Sequence, residues 1–231
     1  MKNNKNTIVV IAAHPDDEVL GVGGTMARLI NEGKDVHVLL MTDGVSSRNE
    51  DSEIFDKEDI QNRHSDSENA NKILGTSSVT YLHFPDNMMD TVSMLVIVKE
   101  IESFLQKHKP SIVFTHHSGD VNIDHRVVHD AVIAACRPQP GFFVKELLFF
   151  EIASSSEWQP SSFNRPFVPN MFIDISSTIH QKLNALKEYK MELREFPHPR
   201  SIQAIESLSK WRGATVGISN AESFIIGRKI K

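Results

Sequence analysis

The chain is 231 residues long, with 40% hydrophobic and 24% charged residues, the composition of one soluble α/β-sized unit able to bury a sizeable core. Its 30 acidic against 25 basic residues give a net charge of −5, which argues against an electrostatic nucleic-acid binder. Apolar runs such as Ile8 to Ala13 fall far short of the roughly 20 residues of an integral membrane segment, the N-terminal run ends in acids instead of a cleavage site, and a lone Cys136 forms no internal disulfide, so a cytoplasmic setting is expected.

Thr7 to Ala13 is short, β-branched and unalternating, which predicts a strand covered on both faces of a parallel sheet. Val19, Val22, Met26, Leu29 and Ile30 recur at a helical period over 18–32, and Gly33 ends the helix. A strand at 35–41 leads into a polar loop at 42–52. A helix from about 59 to 74, closed by Gly75, precedes a strand at 78–84. A helix within 91–108 is followed by a strand at 111–115 and a helix over 123–136. Strands near 146–152 and 170–175, helices near 177–193 and 202–211, and a short strand at 223–227 complete the chain. This alternation is what right-handed βαβ units require, and the expected fold is a single α/β domain over 1–231, a Rossmann-like three-layer sandwich around a mostly parallel sheet. Two Pro-rich stretches, 137–143 and 157–169, read as loops able to border a pocket.

In an open α/β sheet ligands collect at the carboxyl ends of the strands. "HPDDE", His14 to Glu18, lies at the end of the first predicted strand. Pro15 restricts the preceding residue to extended geometry, so His14 and Asp17 can project from a short loop toward one point. Alternatively, Asp16 or Asp17 merely caps the following helix. A catalytic zinc takes three imidazole or carboxylate ligands plus water, so a third ligand is needed. "HHSGDVNIDHRVVHD", His116 to Asp130, follows the strand "SIVFT" and supplies candidates, provided that strand neighbours the first. His125 and His129 are four apart on one helical face, and spacing does not choose between them. Asp124 suits a helix N-cap or a carboxylate that holds a ligand imidazole. His37, His64, His83, His108 and His180 lack such a constellation and are assigned to packing or solvent. "GVGG" lacks the spacing of a dinucleotide fingerprint.

Through "AHPDDEVLGVGG" and "DVNIDHR", the chain resembles the PIG-L or LmbE-like family of zinc-dependent N-acetylglucosaminyl deacetylases. The resemblance continues through "RHSDSENANKILG", "HFPDN", "FPHPRSIQAI" and "RGATVGISNAESF", nearly the whole chain. It implies His14, Asp17 and His125 as zinc ligands, which makes His129 the less favoured partner, and Asp16 as general base. Better-known members carry a histidine at the position of Asn122, so oxyanion stabilisation is expected to rest more on zinc, Asn122 or another donor such as His198. Asn122 and Asp124 join Asp16 as expected catalytic residues.

The same match points to Arg63, Asp86, His198 and Arg200 for substrate contacts, with Arg63 suited to a phosphate, carboxylate or hydroxyl pair and Asp86 to sugar hydroxyls. Arg200 and Glu222 also fit a structural salt bridge. The implied function is removal of acetate from a GlcNAc-like amino sugar linked to a nucleotide, lipid or small aglycone. The alternatives are deacetylation of a small-thiol precursor conjugate and a non-catalytic metal- or sugar-binding member of the fold. Zn2+ is the implied cofactor, with Fe2+, manganese or cobalt acceptable to the same donors. The expected partner is an N-acetylated amino-sugar substrate, and a homo-oligomer is left open.

Overall fold

The computed structural model describes residues 7–44, 57–161 and 165–231. Its strands are β1 (Thr7–Ala12), β2 (Asp35–Thr42), β3 (Ser78–Phe84), β4 (Ile112–His116), β5 (Glu146–Phe150), β6 (Met171–Asp174) and β7 (Ala221–Lys229). They form one sheet in the order β3-β2-β1-β4-β5-β7-β6. The first five are parallel, and β7 runs antiparallel to both β5 and β6.

The helices are α1 (Asp17–Asn31), α2 (Lys57–Leu74), α3 (Met94–His108), α4 (Ile123–Ala135), α5 (Ile179–Leu186) and α6 (Ile202–Ala214). α3 and α4 pack together on one face, while α1, α2 and α5 contact one another on the other, with α6 beside α5. β1 shows why the apolar run does not alternate: Ile8, Val10 and Ala12 enter the core on the α1 and α5 side, and Val9, Ile11 and Ala13 the core under α3 and α4. With both faces dry, every position must be apolar.

The sheet is the mostly parallel, three-layer arrangement read from the sequence, with bounds shifted in two instructive places. β7 covers nine residues instead of five; its interior position between β5 and β6 supplies ladder partners on both sides, out to the pairing of Glu146 with Lys229. α5 stops at Leu186 instead of continuing to Leu193, because the fully buried Tyr189 turns into the core and donates its hydroxyl to Glu18. The predicted polar loop lies outside the described residues from Val45 onward, as do residues 162–164 of the second Pro-rich stretch. The first Pro-rich stretch does border a cavity, of about 550 Å³, between the ends of α3 and α4. Glu222 serves the fold: it accepts the N–H groups of Gly24 and Thr25 at 2.9 and 2.7 Å and pairs with the buried Lys182, fastening β7 to α1 and α5.

β1 pairs in parallel with β2 on one side and with β4 on the other, so the chain order reverses between β1 and β4. Loops leaving two such strands diverge and open a crevice at their carboxyl ends. His14 to Asp16 leave β1 there, and 117–122 leave β4 there.

Candidate metal centre and active site

The turn after β1 is strained at Asp16. Asp16 holds φ +111°, a left-handed value that costs a non-glycine residue of order 1–3 kcal/mol. It stands at the N-cap position of α1, but its side chain makes no capping bond. Its backbone is held instead by Glu18, whose Oε2 accepts the Asp16 N–H at 3.0 Å, and by the Leu20 N–H, which donates to the Asp16 carbonyl at 2.8 Å. The carboxylate is thereby turned into the crevice toward Arg200 Nη1, 3.1 Å away.

Three donor atoms converge beside it. His14 Nδ1, Asp17 Oδ2 and His125 Nε2 are separated by 3.1, 3.2 and 3.3 Å. Tetrahedral ligands about 2.0–2.1 Å from a metal sit about 3.3 Å apart, so the spacing fits. The remaining ring nitrogens decide which lone pairs face inward. His14 Nε2 lies 3.1 Å from Asp86 Oδ1 and 3.2 Å from Asp124 Oδ2, and His125 Nδ1 lies 3.1 Å from Asp120 Oδ1. A proton on each outer nitrogen answers these carboxylates and leaves a lone pair on each inner one. Asp17 Oδ1 is buried without a hydrogen-bond partner. Two imidazole lone pairs and a buried, under-satisfied carboxylate form a donor set that a divalent cation fits.

The electrostatics agree. Against the cost of burial, Asp17 and Asp120 push His125 up to about 9, and Asp124, Asp17 and Asp86 raise His14 well above an ordinary imidazole. Burial also opposes ionisation of Asp17, yet His125 and His116 hold it well below the usual carboxylate range. The cluster therefore attracts positive charge, a demand that either a proton or a metal ion can meet.

Each of the three consecutive acids has its own neutraliser. Asp17 belongs to the donor triangle. Glu18 is buried and accepts hydrogen bonds from Asn71 Nδ2 and the Tyr189 hydroxyl, and burial pushes it up to about 7 against the pull of that hydroxyl. Asp16 is pushed up to about 6 by burial, against the pull of Arg200 and Arg63. Glu192 closes a ring of alternating charge: Arg200 Nη1 lies 3.1 Å from Asp16 and 3.2 Å from Glu192, and Arg63 lies 2.9 Å from Glu192 and 3.8 Å from Asp16. His14, Asp16, Arg63, Asp86, Asn122 and Arg200 all line one polar cleft of about 100 Å³, together with Gly44, Asn87 and Glu192.

The remaining expected residues take the following places. Arg63 is only 5% exposed, donates to the Pro15 carbonyl and lies over the Tyr189 ring. Asp86 faces His14. Asn122, not Asp124, is the N-cap of α4: its Oδ1 accepts the Asp124 N–H at 2.8 Å, while its Nδ2 donates to Asn87. Asp124 accepts the N–H groups of Asn87 and Met89, tying the 86–89 segment to His14. His198 stands behind Arg200, accepting its backbone N–H at 3.0 Å. His129 donates to the His116 carbonyl and packs on Phe149. Reasoning from sequence missed Asp120 and Glu192. Asp120 accepts from the hydroxyls of Ser155 and Ser156 as well as facing His125. It lay inside the quoted histidine-rich segment, but no spacing rule marked it, and nothing local marks Glu192.

The chain is similar to known proteins. Residues 9–136, more than half of the chain, match the PIG-L family, described as GlcNAc-PI de-N-acetylase. The chain is 31% identical over 194 residues to YaiS, an uncharacterized deacetylase of Escherichia coli (strain K12), covering 81% of this chain and 92% of that protein. It is 28% identical over 198 residues to a diacetylchitobiose deacetylase of Thermococcus kodakarensis, covering 84% and 72% of the two. A conserved protein of Thermus thermophilus has a crystal structure matching with a TM-score of 0.76 at 25% identity, over 97% of this chain and 96% of that one. With the matched segment running from β1 to the end of α4 and carrying both histidine and aspartate clusters, the chain belongs to the PIG-L family.

Proposed function

We propose that the protein is a metal-dependent N-deacetylase that hydrolyses the acetamide of a GlcNAc-like amino sugar, with His14, Asp17 and His125 as ligands of a zinc ion. The observation that carries this reading is the triangle of His14 Nδ1, Asp17 Oδ2 and His125 Nε2 beside the Asp16 carboxylate in a polar cleft. Zinc, when bound, supplies Lewis acidity that polarises a carbonyl and acidifies water. Two imidazoles and one carboxylate also accept Fe2+, manganese or cobalt, and metal reconstitution separates these.

The chain's own residues supply the rest. Asp16 takes a proton from the attacking water and returns it to the departing amine, an exchange suited to a carboxyl near pH 6. Arg200 and Glu192 hold Asp16 in orientation. Asp86 and Asp124 fix the His14 ring, and Asp120 fixes His125, so both inner lone pairs keep their aim. Asn122, held by its own cap bond, is a neutral N–H donor for the carbonyl oxygen as charge develops there. A lone cysteine forms no internal disulfide, which suits a reducing, cytoplasmic setting, and no described helix is long and apolar enough to cross a membrane. The test is acetate release from N-acetylated sugars by zinc-loaded and chelator-stripped protein. Release that vanishes on stripping and returns with zinc supports the reading; release unaffected by stripping, or none from any acetamido sugar, overturns it.

A further inference from the structure

Resting on the deacetylase reading above, we propose that Ser154, Ser155 and Ser156 are positioning residues that hold both halves of the site from one short segment. Ser154 orients Arg200 and through it the Asp16 carboxylate; Ser155 and Ser156 orient Asp120 and through it the His125 ligand. The segment follows β5, whose neighbour β4 leads into the loop that carries Asp120. All three serines are buried, and Ser154 holds φ +68°, a left-handed value unfavourable for a residue with a side chain. Glu157 fixes that turn: its Oε1 and Oε2 accept the N–H groups of Ser154 and Ser155 at 2.6 and 3.2 Å. The Ser155 carbonyl-side ring is closed as well, since the N–H groups of Ser155 and Ser156 donate to the Ile152 carbonyl at 3.2 and 2.9 Å. A strained residue persists only where its surroundings over-determine it, and such residues cluster where function uses them.

The hydroxyls reach two partners that lie far apart in the chain. Ser154 Oγ accepts the Arg200 Nε–H at 2.7 Å. The guanidinium is planar, so a partner at Nε fixes the plane in which Nη1 reaches Asp16 at 3.1 Å and Glu192 at 3.2 Å. Ser156 Oγ accepts the Ile152 N–H at 2.9 Å, which leaves its own proton for Asp120 Oδ2 at 2.7 Å. The Ser155 hydroxyl donates to Asp120 Oδ1, which also accepts the Asn122 N–H at 2.9 Å and lies 3.1 Å from His125 Nδ1. Both oxygens of Asp120 are therefore held. The carboxylate cannot turn away from His125 without breaking a hydrogen bond to a buried serine.

The two halves separate by experiment. Ser154→Ala removes the hydroxyl and keeps the left-handed strain, whereas Ser154→Gly removes both. Each should lower kcat for acetate release about three- to tenfold, the worth of one hydrogen bond, with KM within about twofold of the parent. Metal affinity, measured by competition with a chromophoric chelator, should stay at the parent's value in both. The glycine variant should nevertheless melt at a higher temperature than the alanine variant. Ser155→Ala and Ser156→Ala should each weaken metal affinity about three- to tenfold and shift the visible spectrum of the Co2+-loaded protein, a spectrum that both Ser154 variants leave unchanged. Parental kcat in the Ser154 variants, a kcat that recovers with Tm from alanine to glycine, or parental metal affinity in Ser155→Ala and Ser156→Ala would overturn the proposal. An active parent with any of these results sinks this proposal alone. A parent that releases no acetate sinks the deacetylase reading and the role of Ser154 with it, while chelator competition, which needs no substrate, still decides Ser155 and Ser156.

Discussion

His14 and His125 at the carboxyl ends of the strands, and His37 and His108 at the amino ends, are two close pairs of the same residue with opposite proton affinities. In the first pair four carboxylates, Asp17, Asp86, Asp120 and Asp124, face the ring nitrogens, and His125 rises to about 9. In the second the rings face each other at 4.1 Å, and Phe104 lies 4.4 Å from His108. Burial, His37 and Lys107 then push His108 down to about 4. A histidine is made a cation site by the acids aimed at it, not by proximity to another histidine. The same holds along α4, where His125 has two acids and His129 a backbone carbonyl.

The hardest test of the site end is Asp16→Asn, which keeps the shape but removes the proposed proton acceptor. It should lower kcat about 10²- to 10⁴-fold with metal content unchanged, read by acetate release beside elemental analysis. Retained turnover would remove Asp16 from its role. A buried carboxylate outside the cleft should behave oppositely: Glu222→Ala strands the buried Lys182 and should cost about 3–5 kcal/mol in denaturant unfolding while leaving metal affinity intact.

Asp120→Ala sharpens the contrast between facing and coordinating. The loss of the carboxylate behind His125 should weaken metal affinity about 10- to 100-fold, measured by competition with a chromophoric chelator, whereas His129→Ala should leave that affinity unchanged. An equal loss in the two variants would erase the distinction between the histidines.

The smallest effect belongs to the other end of the sheet. The folded pKa of His108 lies below its unfolded value of about 6.5, so the unfolded chain binds more protons as the pH falls. Stability from this group is present above about pH 6.5 and is lost as the pH drops toward about 4. The difference in Tm between pH 7 and pH 5 should therefore be smaller in His108→Phe than in the parent; an unchanged difference would show that the group does not titrate as described.

Much of the fold was legible because periodicity is a local property: a short, β-branched apolar run without alternation reads as a strand covered on both faces, and β1 is such a run. Where the reading slipped, a distant contact had intervened. The end of α5 is set by Tyr189 reaching Glu18, and the length of β7 by partners on both sides. The two strand-end clusters were visible as motifs, since Pro15 and the strand ends fix where their residues emerge. What drew them together was the parallel pairing of β1 with β4, which no local pattern encodes.

The sequence by itself determined the residue types of the site, the alternation of strands and helices, and the family to which both point, because those depend on spacing along the chain. Only the tertiary structure decided which acids stand behind which histidines, that Asn122 caps α4, and that Arg63 and Arg200 are closed into a ring by Glu192. The physical reason is that charge interactions act over a few ångströms in space, and residues as far apart as Asp16 and Arg200 come within 3.1 Å only after the sheet and its crevice exist.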